Sequence, residues 1–140
     1  HIVRDPYDLV PSCLHFWRRM FDQYGLQRAT GAHLEDQVFH SIAAMDARLT
    51  ATWDMIPEPR RLRIRYEDLV ADPLGVLRTT YSYFGWTGAA EAEAGWQTYL
   101  AAQRGYQPNR HDVDEPLQQR ITANLAAVQA RYGYPLRPSA

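Results

Sequence analysis

The sequence predicts an α/β fold in which short parallel strands are joined by crossover helices. Two strand-like runs carry that prediction: Ile2-Val3-Arg4-Asp5 at the start, which reads as the end of a buried strand, and Arg61-Leu62-Arg63-Ile64-Arg65-Tyr66, where apolar and charged residues alternate. A period of two marks a strand with one buried face. The third observation is that helical periodicity fills the chain between and after these runs. Strands separated by helices, each ending in Asp-rich turn chemistry, pair in parallel.

Taken in order, Asp5-Pro6 and Asp8 supply turn and helix-start chemistry. Leu9, Leu14, Trp17, Met20, Phe21 and Tyr24 then recur at helical spacing as far as Gly25. After a polar stretch from Gln27 to His33, a second amphipathic helix is marked by Leu34, Val38, Ile42, Met45, Leu49 and Trp53. It stops near Pro57, where Pro57-Glu58-Pro59 is a clean break. In the second strand Leu62, Ile64 and Tyr66 share a side. Asp72-Pro73 gives an N-cap followed by proline at the first helical position, opening a helix through Leu77, Tyr81 and Phe84 to Gly85. Glu91 to Gln103 reads as another helix and Arg104 to Val113 as a polar loop. The last helix opens at Asp114-Glu115-Pro116, carries Leu117, Ile121, Leu125, Val128 and Tyr132 on one face, and closes at Gly133. One α/β unit over residues 1–135 is expected, with 136–140 as a tail. His1 already stands inside a strand, so the start reads as a cut.

The chain has 140 residues and a formal net charge of −1. That balance gives no global basic field for nucleic acid or an anionic membrane surface, so any bound anion is held locally. All 15 basic residues are arginine, which offers a planar fork for phosphate and rules out a Walker-type lysine. Cys13 is the single cysteine, excluding an internal disulfide or a Cys-based zinc site; it reads as a small buried residue. No apolar run approaches the roughly 18 residues of a spanning helix, so no membrane segment is expected here. The all-arginine usage and alanine-rich helices suggest a bacterial source, and cytoplasmic placement follows from that alone.

The most informative stretch is Arg4-Asp5-Pro6 with Ser12 following, set where a strand gives way to a helix. Open α/β sheets bind ligands at the carboxyl ends of their strands, and helix N-termini present free N–H groups. Arg4 and the Ser12 hydroxyl add charge and orientation, which makes an anion site; the plainer reading is an Arg4 paired with an acid and a Ser12 that merely faces the helix. The second motif is Arg65-Tyr66-Glu67-Asp68-Leu69, followed by Ala71-Asp72-Pro73 and Phe84-Gly85-Trp86.

This order resembles the cytosolic-type and bacterial sulfotransferase family over about residues 1–86. The resemblance implies a P-loop-NTPase-like three-layer parallel sheet, present here in part. It implies that Arg4 and Ser12 bind the 3′-phosphate of the cosubstrate 3′-phosphoadenylyl sulfate, and that Tyr66 lies by the adenine. Adenosine 3′,5′-bisphosphate is then the product. A loop arginine that closes over the 3′-phosphate falls to Arg104 or Arg110; the family's Arg-Lys-Gly motif is absent, since Gln103 precedes Arg104. The 5′-phosphosulfate loop and the catalytic base, usually histidine, belong before residue 1, so this part is expected to transfer nothing by itself. The acceptor can be a small molecule, a lipid or a carbohydrate.

Other constellations have simpler meanings. His33, Asp36 and His40 can share a helical face as metal ligands, but polar residues on an exposed face are commoner, and no metal is expected. Phe16, Trp17, Phe21, Tyr24 and Trp53 line an acceptor cleft or pack a core. His15 is expected to be packed or to stand at the acceptor mouth. Glu67 and Asp68 cap the next turn or steady a neighbouring arginine. Two other functions stay open: a non-catalytic nucleotide-binding or interaction module, and a nucleotide kinase-like phosphoryl transferase.

Overall fold

A computed structural model describes residues 1–26, 31–103, 105 and 113–137. These residues are mostly helical, with one small parallel sheet. The chain divides into two compact units, one formed by 1–4 with 54–108 and the other by 5–53 with 109–140.

In the first unit β1 (Ile2–Val3) pairs in parallel with β2 (Ile64–Arg65), Ile2 opposite Ile64 and Val3 opposite Arg65. Val3 is buried. The α/β class therefore holds in the form of a two-stranded parallel sheet among helices. The second strand is shorter than the alternation from 61 to 66 predicts. The one-sided pattern itself survives, with Leu62 and Ile64 half-buried and Arg63 and Arg65 exposed, but only two residues pair. Tyr66 leaves the sheet to begin α3 (Tyr66–Ala71). Glu67 and Asp68 fall in the first turn of this helix, where carboxylates complement the free N–H groups.

Next comes α4 (Pro73–Phe84), whose ends match the sequence expectation. The Asp72 carboxylate accepts from Gly75 N at 2.9 Å, and Gly85 closes the helix at φ 64°. A left-handed cap of this kind suits glycine because it has no Cβ to clash. On the face of α4 the Tyr83 hydroxyl shares its proton between the Glu58 carbonyl at 2.8 Å and the Arg61 carbonyl at 2.7 Å. That contact anchors the proline-rich segment, which forms a 3₁₀ turn at Glu58–Arg60. The unit ends in α5 (Ala89–Ala102).

The second unit is a three-helix assembly of α1 (Pro6–Tyr24), α2 (Gly31–Thr52) and α6 (Glu115–Tyr132). Its core is Tyr7, Val10 and Leu14 from α1, Leu34, Val38 and Phe39 from α2, and Ile121, Leu125 and Val128 from α6. Cys13, Ile42, Leu117 and Tyr132 pack around it. The α6 face is the one predicted. On α1 the buried face runs through Tyr7, Val10, Pro11 and Leu14, whereas Phe16, Trp17, Phe21 and Tyr24 are exposed. The aromatic run therefore does not serve this core: the buried side of α1 is already taken by Tyr7, Val10, Pro11 and Leu14. Met45 is likewise exposed although it keeps helical register with the core of α2. Ion pairs link the helices across the polar rim, where Arg120 of α6 binds both Glu35 and Asp36 of α2, and Arg131 binds Asp46. Asp114 caps α6 through Leu117 N at 3.0 Å, and Gly133 ends it at φ 71°.

Candidate nucleotide site

The parallel register decides the first part of the site. Because Val3 stands opposite Arg65, the residues that leave the two strands side by side are Arg4 and Tyr66. Both lie at carboxyl ends of parallel strands, where α/β sheets expose their ligand sites. The Arg4 guanidinium centre lies 4.5 Å from the centroid of the Tyr66 ring. A cation over an aromatic face is held at about 0.5–2 kcal/mol and is oriented by it. The stacking leaves one group unanswered: Arg4 Nε is buried and has no hydrogen-bond partner. A buried donor without an acceptor costs about 1–3 kcal/mol, more when it is charged.

Glu67 reaches towards Arg65, at 3.9 Å, which matches the expectation that it steadies a neighbouring arginine. Tyr66 also lines a cleft of about 670 Å³ between α3, α4 and α5. Val70, Leu77, Trp96 and Tyr99 form apolar and aromatic walls there. Its size and lining suit a flat, largely apolar ring. Trp96 and Tyr99 were missed in the sequence because helical spacing alone does not separate a cleft wall from a core face.

The second part of the site lies in the helical unit. Ser12 sits in α1, half-buried, six residues after Pro6 opens the helix. The start of α1 is tightly specified: Asp5 Oδ1 accepts from Tyr7 N at 2.9 Å, and Pro6 takes a position where no N–H is needed. Arg4 is thus described with the sheet and Ser12 with the helices. Arg104 and Arg110 lie outside the described residues.

Along α1 and α2, Trp17 and Phe21 face His33, Leu34, Gln37, Val38 and Ser41 across a smaller cleft of about 260 Å³. His33 therefore borders an aromatic cleft. Asp36 is engaged by Arg120, and among the described residues no cluster of His, Cys, Asp or Glu could hold a metal ion. His15 is exposed, so of its two expected places, packed or at an acceptor mouth, the packed one does not hold. No described helix is long and apolar enough to cross a membrane.

The strand end thus carries a half-buried arginine whose Nε is buried and whose guanidinium lies over the ring of Tyr66, the residue that follows the neighbouring strand. Comparison with known proteins gives the class: residues 1–91 match the profile of the sulfotransferase family, and the chain belongs to that family. It is 30% identical over 134 residues to the omega-hydroxy-beta-dihydromenaquinone-9 sulfotransferase Stf3 of Mycobacterium bovis, and equally to that of Mycobacterium tuberculosis. These matches cover 96% of this chain and 34% of each relative, so the chain spans about a third of the length of the curated relatives it matches. No solved structure matches it.

Proposed function

We propose that the protein is a sulfotransferase that moves a sulfuryl group from 3′-phosphoadenylyl sulfate to an acceptor hydroxyl, and that residues 1–135 are the C-terminal part of its catalytic domain, a P-loop-like three-layer α/β fold. The observation that carries the reading is the buried, unpartnered Arg4 Nε beside Tyr66. The cosubstrate fits this arrangement by chemistry. Its 3′-phosphate is the acceptor the guanidinium lacks, and its adenine is a flat ring suited to the aromatic cleft that Tyr66 borders.

When bound, the cosubstrate supplies an activated sulfuryl group. This chain's residues bind and orient. Arg4 takes the 3′-phosphate through charged hydrogen bonds, with its own direction fixed by the Tyr66 face. Ser12 adds a hydroxyl donor from α1, and Arg110 or Arg104 closes over the same phosphate. Tyr66, with Trp96 and Tyr99, excludes water from the ring. Anchoring the non-reacting end of the donor is how binding energy is turned into orientation of the reacting end. The base that takes the acceptor proton and the donors that meet the transferring group belong to the part of the domain preceding residue 1. The relatives' printed name makes a hydroxylated lipid, of the isoprenoid quinone kind, the acceptor class to try first. Cytoplasmic placement suits a nucleotide cosubstrate.

The test uses the full-length protein with 3′-phosphoadenylyl sulfate and a hydroxylated isoprenoid quinone, following the sulfated product by mass spectrometry. Arg4→Ala should lower kcat/KM for the donor by about ten- to a hundredfold, the loss of a charged hydrogen bond of roughly 1.5–3 kcal/mol. The reading fails if no acceptor class is sulfated and adenosine 3′,5′-bisphosphate binds no better than 5′-AMP.

A further inference from the structure

Resting on the nucleotide reading above, we propose that Gln103 is the residue that reads the base: its side-chain amide pairs with the amino edge of the adenine held in the cleft that Tyr66 borders. Every residue concerned belongs to one compact unit. On α5 the cleft is lined by Trp96, Tyr99, Leu100 and Gln103. These stand three, four and seven residues after Trp96 and so share one face of the helix. On α3 and α4 the lining is Leu69, Val70, Pro73 and Leu77, all apolar. An amide therefore ends a stripe that is otherwise apolar or aromatic.

The backbone of Gln103 is engaged at the helix end. Its N–H donates to the Leu100 carbonyl at 3.1 Å and to the Tyr99 carbonyl at 3.2 Å, and its carbonyl accepts from Gly105 N at 2.8 Å. The side-chain amide takes no part in these bonds. Chemistry then singles it out. Tyr66 and Tyr99 each bring one hydroxyl to the lining and Trp96 brings a donor alone. Among the described lining residues, Gln103 alone sets an N–H donor and a carbonyl acceptor side by side in one plane. Adenine does the same with its 6-amino group and the ring nitrogen next to it, and two such edges pair through two hydrogen bonds. Apolar and aromatic walls hold any purine about equally well. A hydrogen bond shielded from water by the bound ring discriminates, because its loss leaves polar groups unpaired. The walls thus bind a flat ring, and Gln103 selects adenine.

The experiment measures binding to the full-length protein by calorimetry, using adenosine 3′,5′-bisphosphate and, separately, purine riboside 3′,5′-bisphosphate, which lacks only the 6-amino group. The unaltered protein should prefer the adenine nucleotide by about tenfold, the scale of one or two hydrogen bonds. Gln103→Leu should remove that preference by weakening the adenine nucleotide while leaving the purine analogue and the unfolding midpoint nearly unchanged, since Gln103 is exposed at the end of its helix. Gln103→Glu keeps an acceptor for the amino group and should retain part of the preference. Equal weakening of both nucleotides by Gln103→Leu means a merely structural role and overturns the proposal. An unaltered protein that binds both nucleotides equally, or a preference that survives Gln103→Leu, sinks this inference and leaves the nucleotide reading standing. If the unaltered protein binds neither, the nucleotide reading falls and takes this inference with it.

Discussion

Arg4 and Tyr66 were both legible in the sequence as motif residues, yet their relation was not. What joins them is a register in which Ile2 meets Ile64, and register is set by pairing, which no single strand encodes. The orphaned Arg4 Nε is a finding of the same kind, since burial belongs to the fold. Cap chemistry, by contrast, is local and reads directly, and Asp72 allows a sharp test of it. Its carboxylate bonds Gly75 N at 2.9 Å, and a Cβ added at Gly75 would collide with Asp72 Oδ2. Asp72→Ala should cost about 1 kcal/mol by losing the cap. Gly75→Ala gains about 1 kcal/mol of helix propensity but displaces the carboxylate, so it should be near neutral alone. In the Asp72→Ala background the clash is gone, and the same substitution should stabilise by about 1 kcal/mol. Urea unfolding of the four proteins decides it; a Gly75→Ala effect that is equal in both backgrounds would refute the argument.

Among the elements, those with a polar start and a glycine stop were read to within a residue or so. Asp72-Pro73 with Gly85 bounds α4, and Asp114 with Gly133 bounds α6. The short helix α3 was not read, because its N-cap Arg65 makes no side-chain capping bond and the strand pattern runs into Tyr66 without a break. For the aromatic run of α1 the sequence left cleft and core open, because helical spacing does not separate them; the core face is taken by Tyr7, Val10, Pro11 and Leu14, and Trp17 and Phe21 border a cleft instead. Packing between elements also makes a pH prediction. Arg78 of α4 holds Glu93 of α5 through two hydrogen bonds, the one from Nε to Oε2 measuring 3.0 Å. The hydrogen bond from Arg78 is the main cause that pulls the Glu93 carboxyl below its ordinary value. A folded-state value below the unfolded one means the contribution is complete above the ordinary glutamate range, about 4.3, and is lost as pH falls through the depressed value. The stability difference between the unaltered protein and Glu93→Gln should therefore be present at neutral pH, shrink in acid below about pH 4, and diminish with added salt. Denaturant midpoints across that range measure it; a difference independent of pH would show that the pair is not the source.

For the whole molecule, charge is the property that the sequence fixes most directly and that fold changes least. A net charge of −1 distributed over arginines and carboxylates in nearly equal number creates no long-range attraction for an anionic nucleotide. Recognition then has to be local, which agrees with the role proposed for Arg4, whose Nε is buried and whose guanidinium lies over the Tyr66 ring. Long-range steering and local anchoring leave different kinetic marks. Steering raises the association rate and fades with salt, whereas a local charged contact mainly slows dissociation. For adenosine 3′,5′-bisphosphate and the full-length protein, raising salt from about 0.05 to 0.5 M shortens the Debye length from roughly 14 Å to 4 Å. Where residues 1–140 set the field, the association rate should change by less than about threefold across that range. Arg4→Ala should raise the dissociation rate by about tenfold or more while leaving association nearly as it was. Stopped-flow measurement at two salt concentrations separates the cases. An association rate that collapses with salt would mean that a basic surface elsewhere in the full-length protein gathers the nucleotide, and that the arginine at the strand end acts only after capture.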